Sequence, residues 1–186
     1  MAKPLTQKMA LKEYAEKFKH KLSKIKVCAF DIDGVLTNGG ITWKGEDIGF
    51  NRTTHALDGH GFKMLMEAGL KVGVISGGDS QGVRKRFIDN LKLDFVFLGN
   101  EDKREAYKKI LSMGYIDEEI LFMGDDFIDL PLLKRAGFSV TVPNASFEVQ
   151  EVVDYITHRE SGDACAREVM DMVRYAQNIQ VKILEF

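Results

Sequence analysis

Two cysteines, Cys28 and Cys165, are too few for a disulfide framework or a thiolate metal site. Cys28 falls inside an apolar run and reads as a small core residue. No stretch approaches the roughly twenty apolar residues that a membrane span requires. The lysines near the N-terminus are not followed by the apolar segment of a signal peptide. A cytoplasmic protein without a membrane partner is therefore expected. Net charge is also small: 26 Lys and Arg against 28 Asp and Glu leave −2, which argues against a nucleic-acid partner. The balance is uneven, because residues 1–26 carry eight Lys and two Glu, or +6, leaving −8 for the remainder. Lysine runs of this kind are usually a solvated helix face. No Gly-x-x-x-x-Gly-Lys-Ser/Thr segment occurs, and no Gly-x-Gly-x-x-Gly follows a strand. P-loop and dinucleotide-binding enzymes thus lack their fingerprints. Repeats, low-complexity tracts and linkers are absent too, so a single domain is expected, and 186 residues suffice for its core.

What is present is organised around Lys26–Thr37. Val27–Phe30 is a short apolar run suited to a buried strand, and it ends abruptly in Asp31-Ile-Asp33-Gly34. Upstream, Leu11, Tyr14, Ala15, Phe18, Leu22 and Ile25 follow helical spacing and predict an amphipathic helix over residues 6–23. Its stripe must rest on this domain or on a neighbouring subunit. Downstream, apolar positions flanking Lys44-Gly-Glu-Asp47 predict a β-hairpin within 39–50. A regular alternation follows. Helices are expected near 59–68, 80–91, 102–113, 128–136, 146–150 and 163–177, with strands at 71–76, 94–98, 119–124, 138–142 and 153–157. Residues 179–186 form an apolar tail. This alternation predicts an α/β fold with a Rossmann-like parallel sheet covered by helices on both faces.

In open parallel sheets, sites gather at the carboxyl ends of the strands. The first strand delivers Asp31 and Asp33 there. Strand 71–76 delivers Ser76, followed by Gly77 and Gly78, and strand 119–124 delivers Asp125, Asp126 and Asp129. Lys103 opens a helix after Leu98-Gly-Asn100. Singly, each has an ordinary reading as a turn, a cap or a surface residue. Together they would crowd carboxylates at one sheet edge without a compensating cation, which raises their pKa values and destabilises the fold. A bound divalent metal removes that conflict, and oxygen-only ligands favour Mg²⁺. A metal, a hydroxyl and a lysine form a cradle for a phosphoryl group, and a free Asp beside it supplies a nucleophile.

Asp31-Ile-Asp33-Gly-Val, Ser76, Lys103 and Gly124-Asp-Asp-x-x-Asp129 resemble the four motifs of the haloacid dehalogenase superfamily. Asp33-Gly-Val-Leu-Thr-Asn-Gly39, Asp58-Gly-His-Gly61, Gly124–Pro131, Ala136-Gly-Phe-Ser-Val140 and Ala166-Arg-Glu168 resemble its 3-deoxy-D-manno-octulosonate 8-phosphate phosphatases. The resemblance covers residues 25–176. It implies a domain at 25–178 between an N-terminal helical extension (1–24) and a C-terminal tail (179–186), without a cap domain. It also implies a cytoplasmic homotetramer in lipopolysaccharide biosynthesis. Asp31 would be the nucleophile and Asp33 the acid and base, with Ser76 and Lys103 holding phosphoryl oxygens. Mg²⁺ would lie on Asp31, the Asp33 carbonyl and Asp125, supported by Asp126 and Asp129. The hairpin would meet a neighbouring subunit, and residues 158–168 would help close a neighbour's site.

The substrate-binding set inferred from the resemblance is Asp58, Gly59, Lys63, Gly77, Gly78, Arg86 and Lys103. Departures concentrate there. Gly78 stands where the family carries an Arg that contacts the acidic sugar, Leu57 where Arg is frequent and Lys63 where Arg is common. Ser161-Gly-Asp-Ala-Cys165 replaces a glycine-rich closing loop. Lys cannot reproduce a guanidinium fork on a carboxylate, and Arg86 and Lys63 are expected to compensate. The function expected is Mg²⁺-dependent hydrolysis of a phosphorylated sugar acid. A nine-carbon keto-deoxy acid 9-phosphate is the alternative substrate, and a non-catalytic oligomerisation module the alternative class.

Overall fold

The computed structural model describes residues 7–183 and 185. Its centre is β1 (Val27–Phe30), all four side chains of which are buried. They alternate between two cores, as a strand covered on both faces requires. Cys28 and Phe30 join one core with Leu121 and Met123, whereas Val27 and Ala29 join the other with Ile120 and Phe122. β1 pairs in parallel with β4 (Lys71–Ile75) and β6 (Ile120–Met123). β5 (Phe95–Phe97) extends the sheet beyond β4, and β7 (Phe138–Thr141) and β8 (Tyr155–Ile156) extend it beyond β6. The order β5–β4–β1–β6–β7–β8 realises the parallel α/β sheet read from the alternation.

One face is covered by α1 (Gln7–Lys17), α3 (Ala56–Glu67) and α8 (Cys165–Ala176), and the other by α5 (Arg104–Ser112), α6 (Leu130–Leu133) and α7 (Phe147–Gln150). The expected helix over 6–23 is broken at Phe18, whose ring lies 5.2 Å from Phe138, and resumes as α2 (Lys19–Leu22). Residue 6 lies outside the described residues. The stripe of α1 rests on its own domain: Leu11 and Ala15 are buried, and the Tyr14 ring lies 5.3 Å from Tyr155. Gln177 Nε2 donates to the carbonyls of Leu22 and Ile25 at 2.9 and 2.8 Å, tying α2 to the end of α8. Residues 7–22 thus pack as a layer over one face of the sheet. Ile179 and Val181 of the tail also pack against the core.

Helix 80–91 is shorter than its spacing suggested. α4 (Gln81–Arg84) gives way to a wider turn over Lys85–Asn90. Helix 128–136 begins as a tight turn at Phe127–Asp129, and only Leu130–Leu133 is α-helical. The hairpin reduces to β2 (Thr42–Trp43) and β3 (Phe50–Asn51), antiparallel, with Trp43 over Phe50 at 5.0 Å. No helix among the described residues is long and apolar enough to cross a membrane.

Candidate active site

Asp31 makes the last hydrogen bond of β1, donating its N–H to Met123 O at 2.9 Å. The chain then leaves the sheet through Asp33 and Gly34, the latter at φ +89°. That conformation suits glycine, and a Cβ there would also overlap the Asp125 carboxylate. Because Phe30 pairs with both Val74 and Met123, the residues after β1, β4 and β6 emerge at one sheet edge. Asp31, Ser76 and the Asp125–Asp129 loop are brought there, as expected from the strand ends.

Lys103, just before α5, is wholly buried, and its charge is met by two carboxylates. Nζ lies 2.7 Å from Asp31 Oδ1 and 2.6 Å from Asp129 Oδ1. Asp129 Oδ2 accepts from the N–H groups of Asp125 and Asp126 at 3.0 and 3.3 Å, so the side chain that orients Lys103 also shapes the loop carrying Asp125. Asp126 is separate: it is exposed, caps the turn through Phe127 N and accepts from Ser146 Oγ. Asp31, Asp125 and Asp129 each present a carboxylate oxygen within 4.8 Å of the others. Asp125 Oδ1 is buried without a hydrogen-bond partner.

Three carboxylates against one ammonium leave two negative charges uncompensated in a buried place. Burial pushes the Asp31 carboxyl well above its ordinary range; Lys103 opposes this, while Asp129 and Asp125 add to it. Burial and Asp129 push Asp125 up to about 6. Burial works against the Lys103 charge, yet Asp31 and Asp129 outweigh it and raise its pKa. An orphaned carboxylate oxygen and an excess of two negative charges fit a divalent, oxygen-seeking cation.

Ser76 is buried at the end of β4, where its Oγ accepts from Gly78 N at 3.1 Å. Beside it lies a residue the sequence reading did not single out, Arg52, immediately after β3. Its side chain is 7% exposed, and Nε donates to Asp33 Oδ1 at 2.6 Å. A Cβ of ordinary geometry on Gly78 would lie 2.6 Å from Arg52 Nη2. The guanidinium therefore occupies the space that a side chain at position 78 would need. The available signal was Arg52 itself, the first arginine in the chain, at the exit of the hairpin that follows Asp33.

The remaining expected substrate contacts are placed differently. Asp58 is buried; its Oδ1 accepts from Arg167 N at 2.7 Å in the first turn of α8, and its Oδ2 has no hydrogen-bond partner among the described residues. Gly59 lies under Arg86, whose Nη2 would be 2.5 Å from a Cβ there. Lys63 is exposed on α3 and does not line the cleft between Arg52 and Arg86. Gly77 faces Glu101. Residues 161–165 are seated on their own chain: Gly162 N and Cys165 Sγ both donate to Val35 O, at 2.9 and 3.2 Å.

An aspartate at the end of the central strand, a buried lysine on it and acidic partners beside it define a site of the aspartate-nucleophile, phosphoryl-transferring class. The profile of haloacid dehalogenase-like hydrolases matches residues 92–169. The 3-deoxy-D-manno-octulosonate 8-phosphate phosphatase KdsC of Haemophilus influenzae is 38% identical over 160 residues, covering 84% of this chain and 87% of that protein. A probable YrbI family phosphatase from Pseudomonas syringae superposes with TM-score 0.82 at 34% identity, covering 87% of this chain and 92% of that one. The Moraxella catarrhalis 3-deoxy-D-manno-octulosonate 8-phosphate phosphatase, solved with magnesium, phosphate and 3-deoxy-D-manno-octulosonate, gives 0.82 at 31%, covering 88% and 93%. The chain belongs to the 3-deoxy-D-manno-octulosonate 8-phosphate phosphatase family of haloacid dehalogenase-like hydrolases.

Proposed function

We propose that this chain hydrolyses 3-deoxy-D-manno-octulosonate 8-phosphate through a phosphoaspartate on Asp31. The observation that carries the reading is Asp31 at the central strand's end, held by Lys103 at 2.7 Å within the carboxylate cluster. An Asp31 oxygen attacks phosphorus, and the bond from phosphorus to the sugar oxygen breaks with its electron pair on that oxygen. Asp33 gives the departing oxygen its proton. In the second half, Asp33 takes a proton from water, whose oxygen attacks phosphorus and returns the electron pair to Asp31. Ser76 Oγ and Lys103 Nζ hold phosphoryl oxygens, and Asp129 fixes Lys103 for that task. Asp31, the Asp33 carbonyl and Asp125 would hold Mg²⁺, which when bound supplies positive charge to the phosphoryl oxygens.

The same reading makes the enzyme a cytoplasmic homotetramer acting in lipopolysaccharide biosynthesis. Ile41, Trp43, Ile48 and Phe50 support the assembly, because the hairpin leaves each about half exposed at 50%, 50%, 51% and 51%. Apolar side chains gathered on one protruding ribbon are typical of an interface. A nine-carbon keto-deoxy acid 9-phosphate is the second reading, supported by Gly78 and Leu57 standing where the resemblance leads one to expect Arg. A non-catalytic scaffold would gain nothing from gathering Asp31, Asp125 and Asp129 together.

The test is phosphate release with Mg²⁺ from a panel of acidic and neutral sugar phosphates, with Asp31→Asn alongside. Preference for the eight-carbon acid, and a loss of about 10⁴-fold or more in Asp31→Asn, are expected. Full activity in that variant refutes the phosphoaspartate route.

A further inference from the structure

A cleft of about 170 Å³ has walls that include Ile32, Asn51, Arg52, Thr54 and Arg86, and Arg52 links it to Asp33, to which its Nε donates. Two arginines thus line one small space, and one of them is hydrogen-bonded to the proton-transferring carboxylate. Each lies against a glycine, Arg52 against Gly78 and Arg86 against Gly59, at distances that a Cβ would close to 2.6 and 2.5 Å. Neither fork is used up among the described residues. Arg52 spends Nε on Asp33 and Nη1 on Ser80 Oγ at a long 3.5 Å, leaving Nη2 without a partner. Arg86 spends Nη1 on Asn90, and its Nε is buried with no partner at all. A buried, unpartnered donor is costly unless a ligand completes it.

We infer that Arg52 is the specificity-determining residue of this site. Its guanidinium receives the substrate's carboxylate in the cleft, with Arg86 on the facing wall, and Gly78 is the space that admits it. The inference rests on the phosphatase reading above and deepens it. In place of the fork that the family resemblance leads one to expect after Ser76, a guanidinium arrives from the residue following the hairpin's second strand. A planar fork on a carboxylate gives two parallel charge-assisted bonds, which an ammonium cannot supply. Arg52 is therefore a contact to the non-reacting end of the substrate, and its measure is discrimination between acidic and neutral sugars.

The experiment compares kcat/KM for 3-deoxy-D-manno-octulosonate 8-phosphate with that for a neutral hexose 6-phosphate. It uses the full chain, Arg52→Ala, Arg52→Lys and Gly78→Ala, with the unphosphorylated acid as competitor. Losing a charged hydrogen-bond pair should lower the acid-to-neutral ratio about 10- to 100-fold in Arg52→Ala, mainly through KM. Arg52→Lys should recover little of it, and the competitor should weaken in parallel. Gly78→Ala retains Arg52 but displaces its guanidinium, so it should lower the same ratio. Equal losses on both substrates would mean that Arg52 acts only through Asp33, and would overturn the inference. An unchanged ratio in Gly78→Ala would do the same. Failure of the underlying phosphatase reading is distinct, because the unsubstituted enzyme would then release no phosphate from the acid while any variant remains irrelevant.

Discussion

Replacing Lys103 by Met isolates the electrostatics of the site, because Met keeps most of the buried aliphatic volume and removes the ammonium. Lys103 lies 2.7 Å from Asp31 and 2.6 Å from Asp129, with no side-chain exposure. Its loss leaves three neighbouring carboxylates with no internal cation. Breaking a buried ion pair on one side costs about 3–5 kcal/mol. In a chain of this size each kcal/mol moves Tm by about 2–4 °C, so Tm should fall by about 6–20 °C in metal-free buffer. The pH dependence follows from the sign of the Asp31 shift. Burial already raises its folded pKa above the unfolded value, and losing Lys103 raises it further. Stability from such a group is present below the unfolded pKa and is lost as pH rises through the folded one. The deficit of Lys103→Met should therefore be largest at alkaline pH and shrink on acidification. Asp129→Asn added to Lys103→Met should recover part of the loss, since the two side chains share one network. Differential scanning calorimetry on parent, single and double variants, with chelator and at several pH values, is the assay. A Tm within about 2 °C of the parent at alkaline pH would refute the claim that Lys103 neutralises the cluster.

Burial raises the Asp58 carboxyl to about 6, above its ordinary 3.8. At about 1.4 kcal/mol per pH unit, its ionisation costs at most about 3 kcal/mol above that range and nothing below about pH 4. Asp58→Asn keeps an oxygen for Arg167 N, so urea unfolding should show it more stable than the parent at neutral pH and equal to it near pH 4. No difference at neutral pH would refute the raised value. Gly34→Ala sets a Cβ against Asp125 at φ +89°, so calorimetric Mg²⁺ titration should lose at least about tenfold in affinity, near 1.4 kcal/mol. Unchanged affinity would remove Asp125 from the ligand set. Trp43→Glu puts charge on the half-exposed hairpin, and light scattering should then report a species smaller than the tetramer expected of the parent. A parent that is already monomeric would remove the interface altogether.

The sheet was legible because its strands are buried on both faces and read as uninterrupted apolar runs, and because parallel strands must alternate with helices. Helix ends were less so. The Phe18 break depends on a ring placed against Phe138, and the wide turn at Lys85–Asn90 depends on how Phe87 enters the core. Both are decided by packing partners far away in the chain, which spacing alone does not register. The cluster of Asp31, Lys103, Asp125 and Asp129 was visible because each member closes a strand or opens the following helix, positions that topology brings to one edge. Asp58 shows another limit of local reading: a carboxylate inside a motif-like Asp-Gly-His-Gly reads as available, whereas its Oδ1 accepts from the start of α8, more than a hundred residues later.

The acid-binding end shows what a position-by-position reading misses. Read by itself, Gly78 is a loss: the fork expected after Ser76 is absent, and Arg86 and Lys63 are the replacements the sequence offers. A Cβ at 78 would lie 2.6 Å from Arg52 Nη2, so a side chain at 78 and the Arg52 guanidinium compete for the same space. The absence at one position and the presence at the other are one steric fact. The consequence is directional: Gly78→Arg should not restore a family-like site while Arg52 remains. Combined with Arg52→Ala it should, with the acid-to-neutral ratio of kcat/KM recovering relative to Arg52→Ala alone. Additive losses in the double variant would show that the two positions do not exchange the same space.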